Sequence, residues 1–107
     1  MEPLIRQVAS EYKASLESLY GTELAEVILF GSYARGDHHP ESDVDFAIVF
    51  KDPNTRTSGE IARTSAIGSR LSLKYGISIS SLHTTLLKKE TSRQGVYQEI
   101  RKYGIVL

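Results

Sequence analysis

Two aspartates and a Gly-Ser pair stand out as residues able to do chemistry. Asp43 and Asp45 open the apolar run Val44 to Phe50, and Gly31-Ser32 closes an earlier one, Val27-Ile28-Leu29-Phe30. Side chains alternate along a strand, so Asp43 and Asp45 project to one side, their backbones about 6.6 Å apart. Two carboxylates at the lip of a covered sheet repel one another and lose hydration. A divalent cation offsets both costs, and Mg²⁺ is the usual hard cation for oxygen ligands. Between residues 31 and 45 one arginine, Arg35, faces four acids, Asp37, Glu41, Asp43 and Asp45, which adds attraction for a cation. The plainer alternative is an acid pair that starts a strand at a solvated turn.

Glycine at a strand end lets a ligand approach the backbone closely. Amides beyond it and the Ser32 hydroxyl can then hold a phosphate oxygen. A Gly-Ser turn alone is common; beside a metal-spaced acid pair it forms half of a site for metal-bridged phosphates. Arg35 either touches a phosphate or braces the loop by pairing with Asp37 or Asp43. Asp37 and Glu41 read as solvated loop acids rather than ligands, and His38 and His39 as loop histidines facing water, with a role near the acceptor or as a third metal ligand as their alternative. Arg63, Arg70 and Lys74 share a helix face that either steers a triphosphate or is simply a solvated charged stripe.

These residues need two strands to hold them. Leu4, Ile5, Val8, Tyr12, Leu16 and Leu19 fall on one stripe of an amphipathic helix, with Gly21 at its C-terminal cap. Leu24 to Phe30 and Asp43 to Phe50 read as strands. Thr57 and Glu60 fit a capping box opening a helix that Gly76 ends after Tyr75. Residues 77–83 alternate and predict a third strand. Thr91 and Gln94 repeat the capping pattern before a last helix with Val96, Tyr97 and Ile100, stopped by Gly104. The tail Ile105-Val106-Leu107 is apolar and predicts a docked end. The order describes a small α/β (α+β) fold, a mixed β-sheet of three or more strands flanked by helices.

The chain has 107 residues, 40% hydrophobic and 24% charged, which predicts one globular domain over 1–107. Thirteen Lys and Arg balance thirteen Asp and Glu, so no global basic field predicts nucleic-acid binding, and Lys88-Lys89 is too short a patch. Without cysteine there is no disulfide scaffold, thiolate metal site or thiol nucleophile. The apolar runs are strand-sized and the N-terminus lacks a signal-peptide pattern, so the expected place is the cytoplasm.

Gly31-Ser32, ten intervening residues and Asp43-Val44-Asp45 resemble the signature of the DNA polymerase β-like nucleotidyltransferase superfamily. Gly-Ser-Tyr-Ala-Arg-Gly with Ser-Asp-Val-Asp-Phe is most similar to its minimal branch, the stand-alone MNT domains. The resemblance implies that Gly31 and Ser32 hold the β- and γ-phosphates of a nucleoside triphosphate and that Asp43 and Asp45 ligate one or two Mg²⁺ ions. It implies ATP as substrate and, by likeness to antitoxins of HEPN/MNT toxin–antitoxin pairs, transfer of AMP to a tyrosine of a partner HEPN toxin. The superfamily usually adds a third carboxylate from the next core strand. Here that strand reads Ile77-Ser78-Ile79-Ser80-Ser81-Leu82, with Ser78 or Ser80 at the matching position. A binding antitoxin whose chemistry has decayed is therefore the alternative. A small-molecule modifier resembling the aminoglycoside nucleotidyltransferases ranks last, since those use an additional domain for the acceptor.

Overall fold

The computed structural model describes all 107 residues. Its centre is a four-stranded mixed sheet built from β1 (Leu24–Phe30), β2 (Val44–Phe50), β3 (Ile79–Thr85) and β4 (Ile105–Val106). The strands lie in the order β3-β2-β1-β4. β2 runs antiparallel to β1 and parallel to β3, while β4 runs antiparallel to β1. The parallel step requires a crossover, and α3 (Thr57–Tyr75) provides it.

Burial follows from the alternation on β2. Val44, Phe46, Ile48 and Phe50 meet α1 (Pro3–Tyr20) and α3 in the larger core, with Ile5, Val8, Tyr12, Leu16 and Leu71. The Tyr12 and Phe46 rings stack there with centroids 4.6 Å apart. Ala47 and Val49 point the other way and pack with Ile28, Tyr97 and Ile100. A strand apolar on both sides must be covered on both, and β2 is buried throughout except at Asp45. The polar start of β2 is thus the one place where the central strand opens to solvent.

Several sequence expectations shift. The third strand begins at Ile79 rather than 77, and Asp43 lies one residue ahead of β2. Thr57 is already helical: the cap position of α3 falls on Arg56, with no side-chain cap, and Glu60 pairs with Arg63 at 3.0 Å. Gly76 ends this helix in the left-handed conformation, as its position predicts. Thr91 does not start the last helix. It closes α4 (Leu86–Thr91), whose cap is Thr85, where the side chain accepts from the Lys88 amide. α5 (Gly95–Tyr103) starts after Gln94 without a side-chain cap. Three short elements leave too little periodicity to read: α4, β4 and α2 (Ser32–Arg35). The apolar tail docks as β4, and the Leu107 amide donates to the Val27 carbonyl at 2.9 Å.

Candidate active site

The antiparallel register of β1 and β2 sets Phe30 opposite Asp45, so the Gly31 turn leaves β1 where the acids enter β2. Gly31 has φ 75° and ψ −157°, a region essentially closed to residues with a Cβ. A Cβ there would lie 3.1 Å from the Asp45 Cγ and closer still to Oδ2. Gly31 therefore serves twice, by turning the chain and by leaving room for the Asp45 carboxylate. Immediately after it, α2 is a single turn. The Ala34 and Arg35 amides both donate to the Gly31 carbonyl at 3.1 Å. The Ser32 and Tyr33 amides precede that first helical bond and are free for another acceptor.

Asp45 is half-buried and Asp43 exposed. Burial pushes the Asp45 carboxyl above its ordinary range, the nearby Asp43 charge pushes it the same way, and Arg35 partly opposes both. Such a carboxylate gains from any cation placed beside it. No third carboxylate or histidine joins the pair in a metal-binding group. Two carboxylates with room for phosphate oxygens match the way Mg²⁺ is usually held, by few protein ligands plus substrate. The residues present fit that ion.

Ser80 is the register partner of Asp45 on β3, and its side chain is exposed on the same side of the sheet. Of the two serines the sequence offered, Ser80 is the one that stands beside Asp45. Arg35 pairs with Asp37 at 3.1 Å and also with Glu99 of α5. It does not pair with Asp43. Glu99 had no local signal in the sequence, because only the packing of α5 beside α2 brings it near. His38 is not simply solvated: it stacks on Tyr33 with centroids 4.1 Å apart and meets Glu2 at 2.6 Å. Arg63, Arg70 and Lys74 engage Glu60, Ser15 and Glu11 along α1 and α3, on the sheet face opposite Asp45.

The mixed sheet sets a Gly-Ser turn against an acid pair, the arrangement that the resemblance to nucleotidyltransferases implies. The nucleotidyltransferase domain model matches residues 9–106, and the chain belongs to that family of transferases. It is 38% identical over 102 residues to a candidate protein adenylyltransferase of Methanocaldococcus jannaschii, covering 94% of this chain and 96% of that one. Among solved structures it superposes on a candidate minimal nucleotidyltransferase with a TM-score of 0.59 at 19% identity, covering 96% of this chain and 95% of that one. It also matches a chain of a toxin–antitoxin structure with AMP-PNP, with a TM-score of 0.59 at 21% identity, over 89% of this chain and 68% of the other. At these identities the structural likeness speaks for the fold. No helix is long and apolar enough to cross a membrane.

Proposed function

We propose that the protein is a Mg²⁺-dependent protein adenylyltransferase that moves AMP from ATP onto a hydroxyl, a tyrosine of a partner HEPN toxin, and so acts as a cytoplasmic antitoxin. The observation that carries this reading is the Asp45 carboxylate packed against Gly31, with Asp43 beside it and the Ser32 turn alongside. The relative named as a protein adenylyltransferase supports protein as the acceptor class. The toxin–antitoxin structure with AMP-PNP supports the nucleotide and the partner class.

The chain's own residues divide the work. The Ser32 hydroxyl and the Ser32 and Tyr33 amides grip the β- and γ-phosphates, which Gly31 lets approach the backbone. Asp43 and Asp45 would hold Mg²⁺, which would supply charge neutralisation of the phosphates and polarisation of the α-phosphoryl group. Arg35, kept close by Asp37 and Glu99, supplies a fixed positive charge on the same side. An acceptor oxygen then bonds to the α-phosphorus as the bond to the β-phosphate bridge breaks, and pyrophosphate leaves with that electron pair. The hydroxyl proton passes to solvent, since Ser80 offers no carboxylate to receive it.

The test is transfer of label from α-³²P-ATP with Mg²⁺ into a co-expressed partner. Label in the partner with wild type and none with Asp43→Ala/Asp45→Ala is the expected result. Equal label in both overturns the proposal. A second reading rests on Ser80: a fold that neutralises its partner by binding alone. It predicts that the double variant, folded and bound, still neutralises the partner in cells.

A further inference from the structure

The two edges of the sheet are unlike. β4 is only two residues long, whereas β3 runs for seven residues, Ile79–Thr85, with no neighbour on its outer side. Exposed strands are normally blunted by lysine, proline, a bulge or brevity. β3 has none of these: it reads Ile-Ser-Ser-Leu-His-Thr-Thr, and its register with β2 is unbroken. The Val44 amide donates to the Ser78 carbonyl at 2.8 Å, so Ser78, Ser80, Leu82 and Thr84 turn their backbone groups toward β2. By alternation Ser81 and His83 turn theirs outward.

Beside this edge lies a groove of about 610 Å³ between β3 and α3. Its helical wall is made of small residues, Ser65, Gly68, Ser69 and Ser72. At its ends stand Leu73, 87% exposed, and Ile61, 56% exposed. A Cβ built on Gly68 meets nothing within 4 Å, so the space in front of the helix is open.

We propose that this face joins two copies of the chain as a two-fold dimer, with β3 pairing antiparallel to β3 of the second copy about Leu82. The register is self-complementary. Centred on Leu82, it sets Ile79 against Thr85, Ser80 against Thr84 and Ser81 against His83 of the second copy. Ser81 and His83, like Ile79 and Thr85, have outward backbone groups, so each pair falls opposite where an antiparallel ladder needs a hydrogen-bonded pair. The strand carries no acidic or basic charge to repel its mate. Burial pushes its one titratable group, His83, toward the neutral form, and its Nε2 lies 2.8 Å from the Thr64 hydroxyl. The same two-fold places α3 antiparallel to its mate on one side of the joined sheet. The small residues let the helices approach, and each exposed Leu73 moves toward Ile61 of the second copy. Ser80 adjoins Asp45, so Thr84 of the second copy then borders the site on its β3 side.

Sedimentation and native mass spectrometry of the whole chain test this. Wild type at high-micromolar concentration is expected at twice the chain mass. Gly68→Lys enters open space in the single chain, leaves its circular dichroism unchanged, and weakens association at least about tenfold by blocking the approach of the helices. Leu73→Glu does the same from the groove's other end. Hydrogen exchange adds a positional readout: the Ser81 and His83 amides are protected in concentrated wild type and exchange on dilution. A chain monomeric at all concentrations, dimers indifferent to both substitutions, or dimers in which those two amides exchange freely would each overturn the proposal.

Discussion

The contact between Gly31 and Asp45 makes a quantitative prediction. Gly31→Ala faces two separate penalties. The first is backbone strain at φ 75° and ψ −157°, costing about 1–3 kcal/mol. The second is overlap of the new methyl with the Asp45 carboxylate, costing another 1–3 kcal/mol or so, as overpacking does. Together they total about 2–6 kcal/mol, against roughly 5–15 kcal/mol for a whole domain. Asp45→Ala removes the two nearest atoms, Oδ2 and Cγ, keeps the Cβ at 3.3 Å, and leaves the strain. In that background Gly31→Ala should therefore cost little beyond the first part. Urea denaturation of wild type, both single variants and the double variant closes a thermodynamic cycle. The expected coupling is about 1–3 kcal/mol, with the urea m-values unchanged. Additivity within about 0.5 kcal/mol would refute the reasoning, because it would mean the carboxylate swings aside freely and is not held against the turn.

Other predictions draw on the same geometry. Asp45→Asn should stabilise the ligand-free protein at neutral pH, by an amount that solvent screening at this half-buried group and the opposing Arg35 keep small, since a charge disfavoured by burial and by Asp43 is removed. The sign follows from the raised folded pKa. The penalty is absent below the unfolded pKa and complete above the folded one, so the gain should vanish in acid denaturation curves. Mg²⁺ with a non-hydrolysable ATP analogue at a hundred-fold excess over Kd should stabilise by about 2.7 kcal/mol and raise the wild-type melting temperature by about 10 °C or more. Scanning calorimetry of Asp43→Ala should show little of that rise. Tyr97→Phe removes the 2.7 Å bond to the buried Thr84 hydroxyl and should cost about 1–3 kcal/mol in the same urea assay. Ser80→Asp places a third carboxylate next to Asp45, so melting should show lower stability without Mg²⁺ and a larger rise on adding it.

What could be read from the chain and what could not divides along physical lines. The long elements announce themselves through periodicity sustained over many residues, as in the stripe from Leu4 to Leu19 or the apolar run from Val44 to Phe50. Each buries a face the sequence alone displays. α2, α4 and β4 have two to six residues each. They exist because the tertiary frame supplies partners: β1 for the tail, and Thr85 at the end of β3 for the start of α4. The cap at Thr57 failed for a related reason. α3 is set by burial of Thr64 and Leu71 on its inner face, and Glu60 found Arg63 instead of the helix start.

The candidate site divides in the same way. Gly31, Ser32, Asp43 and Asp45 lie at the facing ends of two adjacent antiparallel strands, so a short spacing in sequence translates directly into closeness in space. Glu99 beside Arg35 and Ser80 beside Asp45 are brought in by elements that follow the crossover helix, and no spacing rule reports them. The consequence is chemical. The half of the site readable from sequence is the half that would grip phosphate and metal, a task common to a whole class of transferases. The half assembled by the later elements lacks an acid at Ser80 and sits at the open sheet edge, where an acceptor or a second chain has access. Under the proposed function, acceptor choice would then depend on residues that only the folded chain, and a second copy docked on β3, bring together.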